Sequence, residues 1–533
     1  MIKLALNQIV LEFNKKHLYI VLLTAFVFSY GFISFTAHYI RKVNPNNESK
    51  SSQSLVANTM IYSPDDYWYV NQYKNWREGK GFTIDPAYKN LSVRRTPVYP
   101  IIYGFFTYEF GYENGIVLLR YFQIILFCIS AWLIYLIVLG LTQRTRNALI
   151  AAILYGVCPF ISSYLPFTIT ESITPFFVVL TVYSYMNARK TKSNFMYLTT
   201  GIVAAICILN RPLCLVLAIA MIFTELMENY KSRAFVLVQT KKSILILIGA
   251  LIIFMPWVIR NYKVTNGEII LLEKLERKDI MDYGHSLIEL RSMVSCFGNP
   301  ADYGCELFVQ RATDNIANNN AGRNEVLLDN FLASFPGTAF QVWNRDTLKN
   351  VIKEYLICYE SLFKRKGNIE KNNVTGEEEF LNCNEKLRVR YNTMTNEFKK
   401  KAFLNYYVLT PLGHLKDIVF QSNTANIAWL QPNEEGYSFV KKCIKAVLYL
   451  MNATFYVLFF IGLFSKLLPL WYRIISGISF LVLFIILTFE YRYFETRYYL
   501  IIWPFIIING VAILSFLYET WLKPRLSRRK QTN

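Results

Sequence analysis

Ten runs of mostly aliphatic and aromatic residues divide this chain, at about 17–38, 114–139, 147–165, 172–187, 195–210, 213–228, 243–258, 444–464, 473–489 and 498–518. Runs of this kind restrict the fold more than any motif. Hydrocarbon leaves a backbone no water to bond, so a spanning segment must be a helix or a closed barrel, and at 1.5 Å per residue a helix needs about 20 residues to cross. Several of the runs sit near the lower limit. The expectation is an all-α polytopic membrane protein of about ten transmembrane helices. Composition agrees. Hydrophobic residues make up 53% and mean hydropathy is +0.26, while charged residues are 18% against about 25% for a soluble domain.

The formal net charge is +20. In a soluble protein such an excess would favour nucleic-acid binding. Here the basic groups fall between apolar runs, at Arg144 and Arg146, Arg189 to Lys192, Lys231 to Lys242, Lys466 and Arg473, and in the tail from Lys523 to Lys530. Retention of basic loops on the cytoplasmic side explains this placement. It predicts both termini inside and the alternate loops outside. The first run lacks an evident small-residue cleavage site and reads as an uncleaved anchor. The expected layout is an N-terminal membrane module over 1–259 containing an outer loop at 41–97, an exoplasmic and mainly helical region at 260–435, and C-terminal membrane helices with a basic cytoplasmic tail at 436–533. The outer region holds Cys296, Cys305, Cys358 and Cys383, which suit one or two disulfides on an oxidising side.

This topology gathers ionisable groups on one face. Asp65 and Asp66 lie in the first outer loop, ahead of a helix-like segment and a turn at Gly79 and Gly81. Arg94 and Arg95 precede Pro97 and Pro100. Glu171 opens the fourth run, Arg211 stands between Asn210 and Pro212, Arg260 and Asn261 follow the seventh run, His414 lies in TPLGH, and Glu490, Arg492, Glu495 and Arg497 precede the tenth. Taken singly, each could cap a helix or reach the interface along its own stem. Taken together, ionisable groups at membrane depth face a cavity or a partner.

The chemistry that uses such a set is sugar transfer from a polyprenyl phosphate. Guanidinium groups grip the leaving phosphate and stabilise its developing charge. A carboxylate takes the acceptor proton. No nucleotide-binding loop is needed, and the sequence has no GxxxxGK[ST] pattern.

These segments resemble the integral-membrane glycosyltransferases of the GT-C fold, in particular glycosyltransferase family 39 and its bacterial relatives, which include the protein O-mannosyltransferases and the lipid A aminoarabinose transferase. The resemblance rests on PDDYWYVNQYKNWREGKGF, RRTPVYP, SYLPFTITESITPFF, NRPLCLVL, MPWVIRNYKVTNG and ETRYYLIIWPF. It implies a polyprenyl-phosphate sugar donor and an exoplasmic protein, glycan or lipid acceptor, with inversion at the anomeric carbon. It implies catalytic or metal-associated carboxylates at Asp65 or Asp66 and at Glu171. Lipid-phosphate contacts are implied at Arg95, with Arg94, Arg260 and Arg497 behind it, and substrate contacts at Tyr69, Arg211, Asn261, His414 and Glu495. No cofactor is required; a divalent cation at Asp65, Asp66 or Glu171 is the variant. The implied site is the outer face of a plasma membrane, or the endoplasmic reticulum membrane in a eukaryote. The chain has Asp-Asp where the O-mannosyltransferases show Asp-Glu, and Arg-Thr-Pro where the aminoarabinose transferase has Lys-Pro. The 260–435 region matches neither. Two other classes stand beside this one. A transporter or flippase of lipid-linked glycans would place its charges near mid-bilayer in paired broken helices. A polysaccharide polymerase or ligase would suit the long outer region.

Overall fold

Among the described residues, seven helices are long and apolar enough to cross a membrane: Lys15–Val43, Tyr112–Thr142, Thr145–Ser162, Thr240–Val264, Phe439–Phe464, Leu470–Phe489 and Trp503–Trp521. The protein is therefore a polytopic membrane protein built from helices. The computed structural model describes residues 15–44, 54–63, 65–86, 93, 95–227, 233–267, 286–297, 301–318, 320–366, 375–431, 438–491 and 495–523. The remaining three apolar runs of the sequence are also helical, as Thr174–Thr191, Asn194–Asn210 and Leu215–Met227. They are shorter, and Thr174–Thr191 ends on Arg189 and Lys190.

Contacts divide the chain into two compact units. One comprises Met1–Leu272, Val419–Leu483 and Thr496–Asn533, and the other Glu273–Ile418 with Phe484–Glu495. In the first, the N-terminal and C-terminal membrane runs pack together. The Phe160 and Trp503 rings stack with centroids 4.5 Å apart. Asn194–Asn210 and Arg233–Val264 meet backbone to backbone. A Cβ on Gly201 would lie 2.0 Å from the Ile246 carbonyl oxygen, and one on Gly249 2.0 Å from that of Leu198. Small residues allow this approach where the surrounding lipid offers no hydrophobic drive to association.

The second unit is helical because its apolar residues recur with helical period. In Arg345–Lys366, Leu348, Val351, Ile352 and Tyr355 are buried, and in Thr375–Lys401 the buried set is Leu387, Tyr391, Met394 and Phe398. These stripes close with Ser286–Ser295, Ala301–Ala317 and Asn324–Ala333 around stacked Phe308 and Phe331, whose centroids are 4.5 Å apart. Cys358 and Cys383 form a disulfide between two of the helices, and Cys296 and Cys305 are buried in the core of this unit.

One local feature positions the first loop. Leu55–Val56 pairs antiparallel with Met60–Ile61. Ala57 and Asn58 turn the chain at φ 49° and 55°, the left-handed pair that a tight hairpin turn requires. Ile61 then donates its N–H to the Pro166 carbonyl at 2.7 Å and bridges Phe167. Five residues before Asp66, the loop is thus fastened to the segment that leads into Glu171.

Candidate functional site

Asp65 immediately precedes the helix Asp66–Arg77, and its side chain makes no capping bond to it. Its carboxylate pairs with the Arg95 guanidinium, and both side chains are about a third exposed, at 28% and 33%. Arg95 lies 5.7 Å from the centre of the Tyr69 ring, one turn into the same helix. The Gln72 side chain donates to the Arg95 carbonyl oxygen at 3.4 Å. Pro97 and Pro100 start Val98–Glu109 cleanly, because proline needs no helical N–H donor in a first turn.

Asp66 has a different environment. It is 3% exposed and accepts a hydrogen bond from the Thr168 hydroxyl. Burial pushes its carboxyl up to about 7, with the Asp65 charge adding to the rise against the hydrogen bonds that lower it. Adjacent aspartates therefore differ, one part-exposed beside an arginine and one enclosed, with its carboxyl raised to about 7.

Glu171 sits in the single turn Thr170–Ser172 that precedes Thr174–Thr191. Its Oε1 is 2.6 Å from Arg211 and 3.7 Å from Arg497, and its Oε2 accepts from Thr170 at 2.7 Å. Burial alone would raise this carboxyl; the two guanidinium charges and the hydrogen bonds outweigh it and hold it at about 2. Arg211 owes its place to its neighbour. A residue before proline is driven out of helical backbone. Arg211 accordingly adopts φ −148° and ψ 112°, ending Asn194–Asn210 and opening the turn Pro212–Cys214. Tyr498 is flanked by two cations, with Arg211 and Arg497 each 5.3 Å from its ring centre. Asn210 ties the parts together, donating to the Thr174 hydroxyl at 2.9 Å and accepting from the Thr96 hydroxyl at 3.5 Å.

Asp65, Arg95, Tyr69, Glu171, Arg211 and Arg497 thus share one electrostatic neighbourhood. Arg95 feels Asp65, Glu171 and Arg497, and Arg211 feels Glu171 and Arg497. The guanidiniums of Arg95, Arg211 and Arg497 and the carboxylates of Asp65 and Glu171 meet there. Arg260 and Asn261 go elsewhere in the same unit. Arg260 reaches the Phe82 carbonyl oxygen and, at 2.8 Å, Asn261 Oδ1, with Trp257 at 5.0 Å. They fasten the turn that follows Asp66–Arg77. His414 is buried and Glu495 half-buried, both in the second unit. Arg94, Arg492 and the side chain of Glu490 lie outside the described residues. Among the described residues no three His, Cys, Asp or Glu side chains converge as a metal-holding group. Sequence reasoning missed Thr168 and Tyr498, although both stand inside quoted motifs; hydroxyls and rings carry no charge to mark them in an apolar background.

No curated protein matches the chain at a comparable level. Among solved structures, the oligosaccharyltransferase AglB of Archaeoglobus fulgidus, in complex with an inhibitory peptide and a dolichol-phosphate, is 12% identical with a TM-score of 0.41 over 95% of this chain and 51% of that one. A second solved structure, of an Archaeoglobus fulgidus oligosaccharyltransferase tethered with an acceptor peptide, is 13% identical with a TM-score of 0.40 over 92% of this chain and 50% of that one. The chain spans about half the length of either. Residues 94–259 match the family described as dolichyl-phosphate-mannose-protein mannosyltransferase. The segment that carries Arg95, Glu171 and Arg211 is thus the segment similar to that mannosyltransferase family.

Proposed function

We propose that this chain is a GT-C-type membrane glycosyltransferase that moves a sugar from a polyprenyl-phosphate donor to an acceptor outside the membrane. The observation that carries the proposal is the convergence of Arg95, Arg211 and Arg497 on Asp65 and Glu171 at one end of the membrane helices. Clustered guanidiniums suit a lipid phosphodiester, to which they can donate charge-assisted hydrogen bonds. The extra charge of the departing phosphate is stabilised by groups already in place. Arg95 is the first phosphate contact because its partner Asp65 is also partly exposed.

In this reading the acceptor oxygen attacks the anomeric carbon, and its proton passes to a carboxylate. The bond from that carbon to the phosphate oxygen breaks, and the electron pair stays with the lipid phosphate. The configuration inverts. Asp65 is the proposed base, because reach decides before pKa does and Asp66 is enclosed against Thr168. Asp66 positions the loop. Glu171 holds Arg211 and Arg497 in register. Tyr69 supplies a wall for the sugar ring. Arg260 and Asn261 support the loop that follows Asp66–Arg77 in this proposal, and Arg94 is an auxiliary phosphate contact. The step needs no cofactor; a divalent cation held by Asp65, Asp66 or Glu171 is the variant to be tested. The topology that goes with this function has ten spans, both termini cytoplasmic and the site exoplasmic in a plasma membrane.

The test is reconstitution of the full chain in liposomes with a short-chain polyprenyl-phosphate sugar, reading release of the lipid phosphate and gain of sugar mass on a supplied acceptor. The proposal expects release that depends on acceptor and is abolished in Asp65→Asn. Absence of turnover with every polyprenyl-phosphate sugar, while the same membranes support surface glycan that disappears on gene deletion, would overturn the donor class.

A further inference from the structure

A second polar cluster lies at the far end of Thr174–Thr191 from Glu171. Arg189 is 18 residues on from Glu171, which in helical rise is about 27 Å. Here Glu225 is fully buried. Its Oε1 accepts from the Tyr185 hydroxyl at 2.6 Å and from Arg189 at 2.7 Å, and its Oε2 is 3.7 Å from Lys242 Nζ. The two cations are 16% and 17% exposed. Arg189 also lies 5.4 Å from the centre of the Trp471 ring. This is a built structure rather than a loose basic loop, and the proposed chemistry uses none of it.

Beside the cluster is a cavity of about 520 Å³. Two helix faces form its walls with the same spacing. Leu136, Leu139, Gly140 and Gln143 line one, and Tyr183, Met186, Asn187 and Lys190 line the other. Both sets read i, i+3, i+4, i+7, a single stripe on each helix. The helices touch at Gly140, where a Cβ would lie 2.9 Å from Met186 Sδ. Trp132 and Trp471 stand at the sides. The lining is graded. Along the two helices the lining runs from Trp132, Leu136 and Tyr183 to Gln143, Asn187 and Lys190, with Trp471 beside Arg189. Lys190 is exposed and has no carboxylate partner among the described residues.

We propose that this cavity binds the phosphodiester headgroup of an anionic glycerophospholipid, with Lys190 and Arg189 on the phosphate and the leucine wall against the upper acyl chains. Basic pockets between membrane helices suit such headgroups, and tryptophan prefers the same depth. The apolar part of the lining favours a lipid over a free phosphate, which would leave it unused. The cavity stands independently of the sugar-transfer reading, since it shares no side chain with that site.

The test is native mass spectrometry of the intact full chain in a neutral detergent, titrated with dioleoyl phosphatidylglycerol, dioleoyl phosphatidylcholine or inorganic phosphate. The expected result is tighter retention of phosphatidylglycerol than phosphatidylcholine by about tenfold, with Lys190→Glu reducing it to the phosphatidylcholine level and Lys190→Gln falling between. Both variants change an exposed side chain, and an unchanged melting temperature shows that they fold. Equal retention of the two lipids, or retention indifferent to Lys190→Glu, would overturn the site. Displacement of the lipid by equimolar inorganic phosphate would assign the basic end to a free anion and overturn the lipid.

Discussion

Arg211 and Glu171 form an ion pair 2.6 Å long with side chains only 8% and 5% exposed, and Arg211 stands at the helix break made by Pro212. Such a pair contributes little net stability over an apolar replacement, but leaving one member alone is expensive. Arg211→Met is expected to destabilise the protein by about 3–5 kcal/mol. The double variant Arg211→Met with Glu171→Gln should recover part of that loss. Thermal melts of the detergent-purified single and double variants check this; additive losses would mean that the pair is not coupled.

The two aspartates should separate on activity. If Asp65 takes the acceptor proton, Asp65→Asn loses about 10²- to 10⁴-fold in turnover, the usual worth of a general base. Asp66→Asn keeps the Thr168 contact in neutral form and should retain measurable transfer. The assay is initial-rate release of polyprenyl phosphate from proteoliposomes. A larger loss in Asp66→Asn would exchange the two roles.

The same pair predicts a pH dependence of stability. Asp66 is raised in the folded protein to about 7 from 3.8, so the folded state holds its proton more tightly than the unfolded chain. Its contribution is complete below about pH 4 and is lost as the pH rises toward 7. Three pH units correspond to at most about 4 kcal/mol. Glu171 behaves oppositely, contributing above its unfolded value of 4.5 and losing that contribution only as the pH falls toward 2. Melting curves from pH 4 to 8 should be flatter in Asp66→Asn than in the parent, with the gain largest above pH 7. Parallel curves would contradict the burial of a protonated carboxyl.

Much of this was legible in the sequence, for physical reasons that differ by element. All ten apolar runs coincide with helices, because a membrane tolerates few alternatives. Arg211 could be read from NRP, since the following proline dictates extended backbone. Arg260 could not be placed the same way. Its guanidinium turns to the Phe82 carbonyl, and the direction of a side chain at a helix end depends on which loop packs over it. The hairpin at 55–61 was also invisible, because two-residue strands carry no alternation to detect and their stability comes from contact with Pro166 and Phe167. The cysteine count allowed one or two bridges, and the sequence contained nothing to choose Cys358 with Cys383.

Chelation tests the cation variant. With an arginine-gripped phosphate and a carboxylate base, turnover in EDTA should equal turnover in buffer. A loss restored by added magnesium or manganese would place an ion among Asp65, Asp66 and Glu171 and reassign Asp65 from base to ligand.

The bond from Ile61 to Pro166 has a consequence for biogenesis and for engineering. The first loop leaves the ribosome a hundred residues before the strand of chain that holds it, so the aspartates stay unpositioned until three spans have inserted and the 164–168 segment has followed. A chimera that transplants 41–97 alone will carry the carboxylates without their anchor. Grafts between relatives should move 54–66 and 163–171 together.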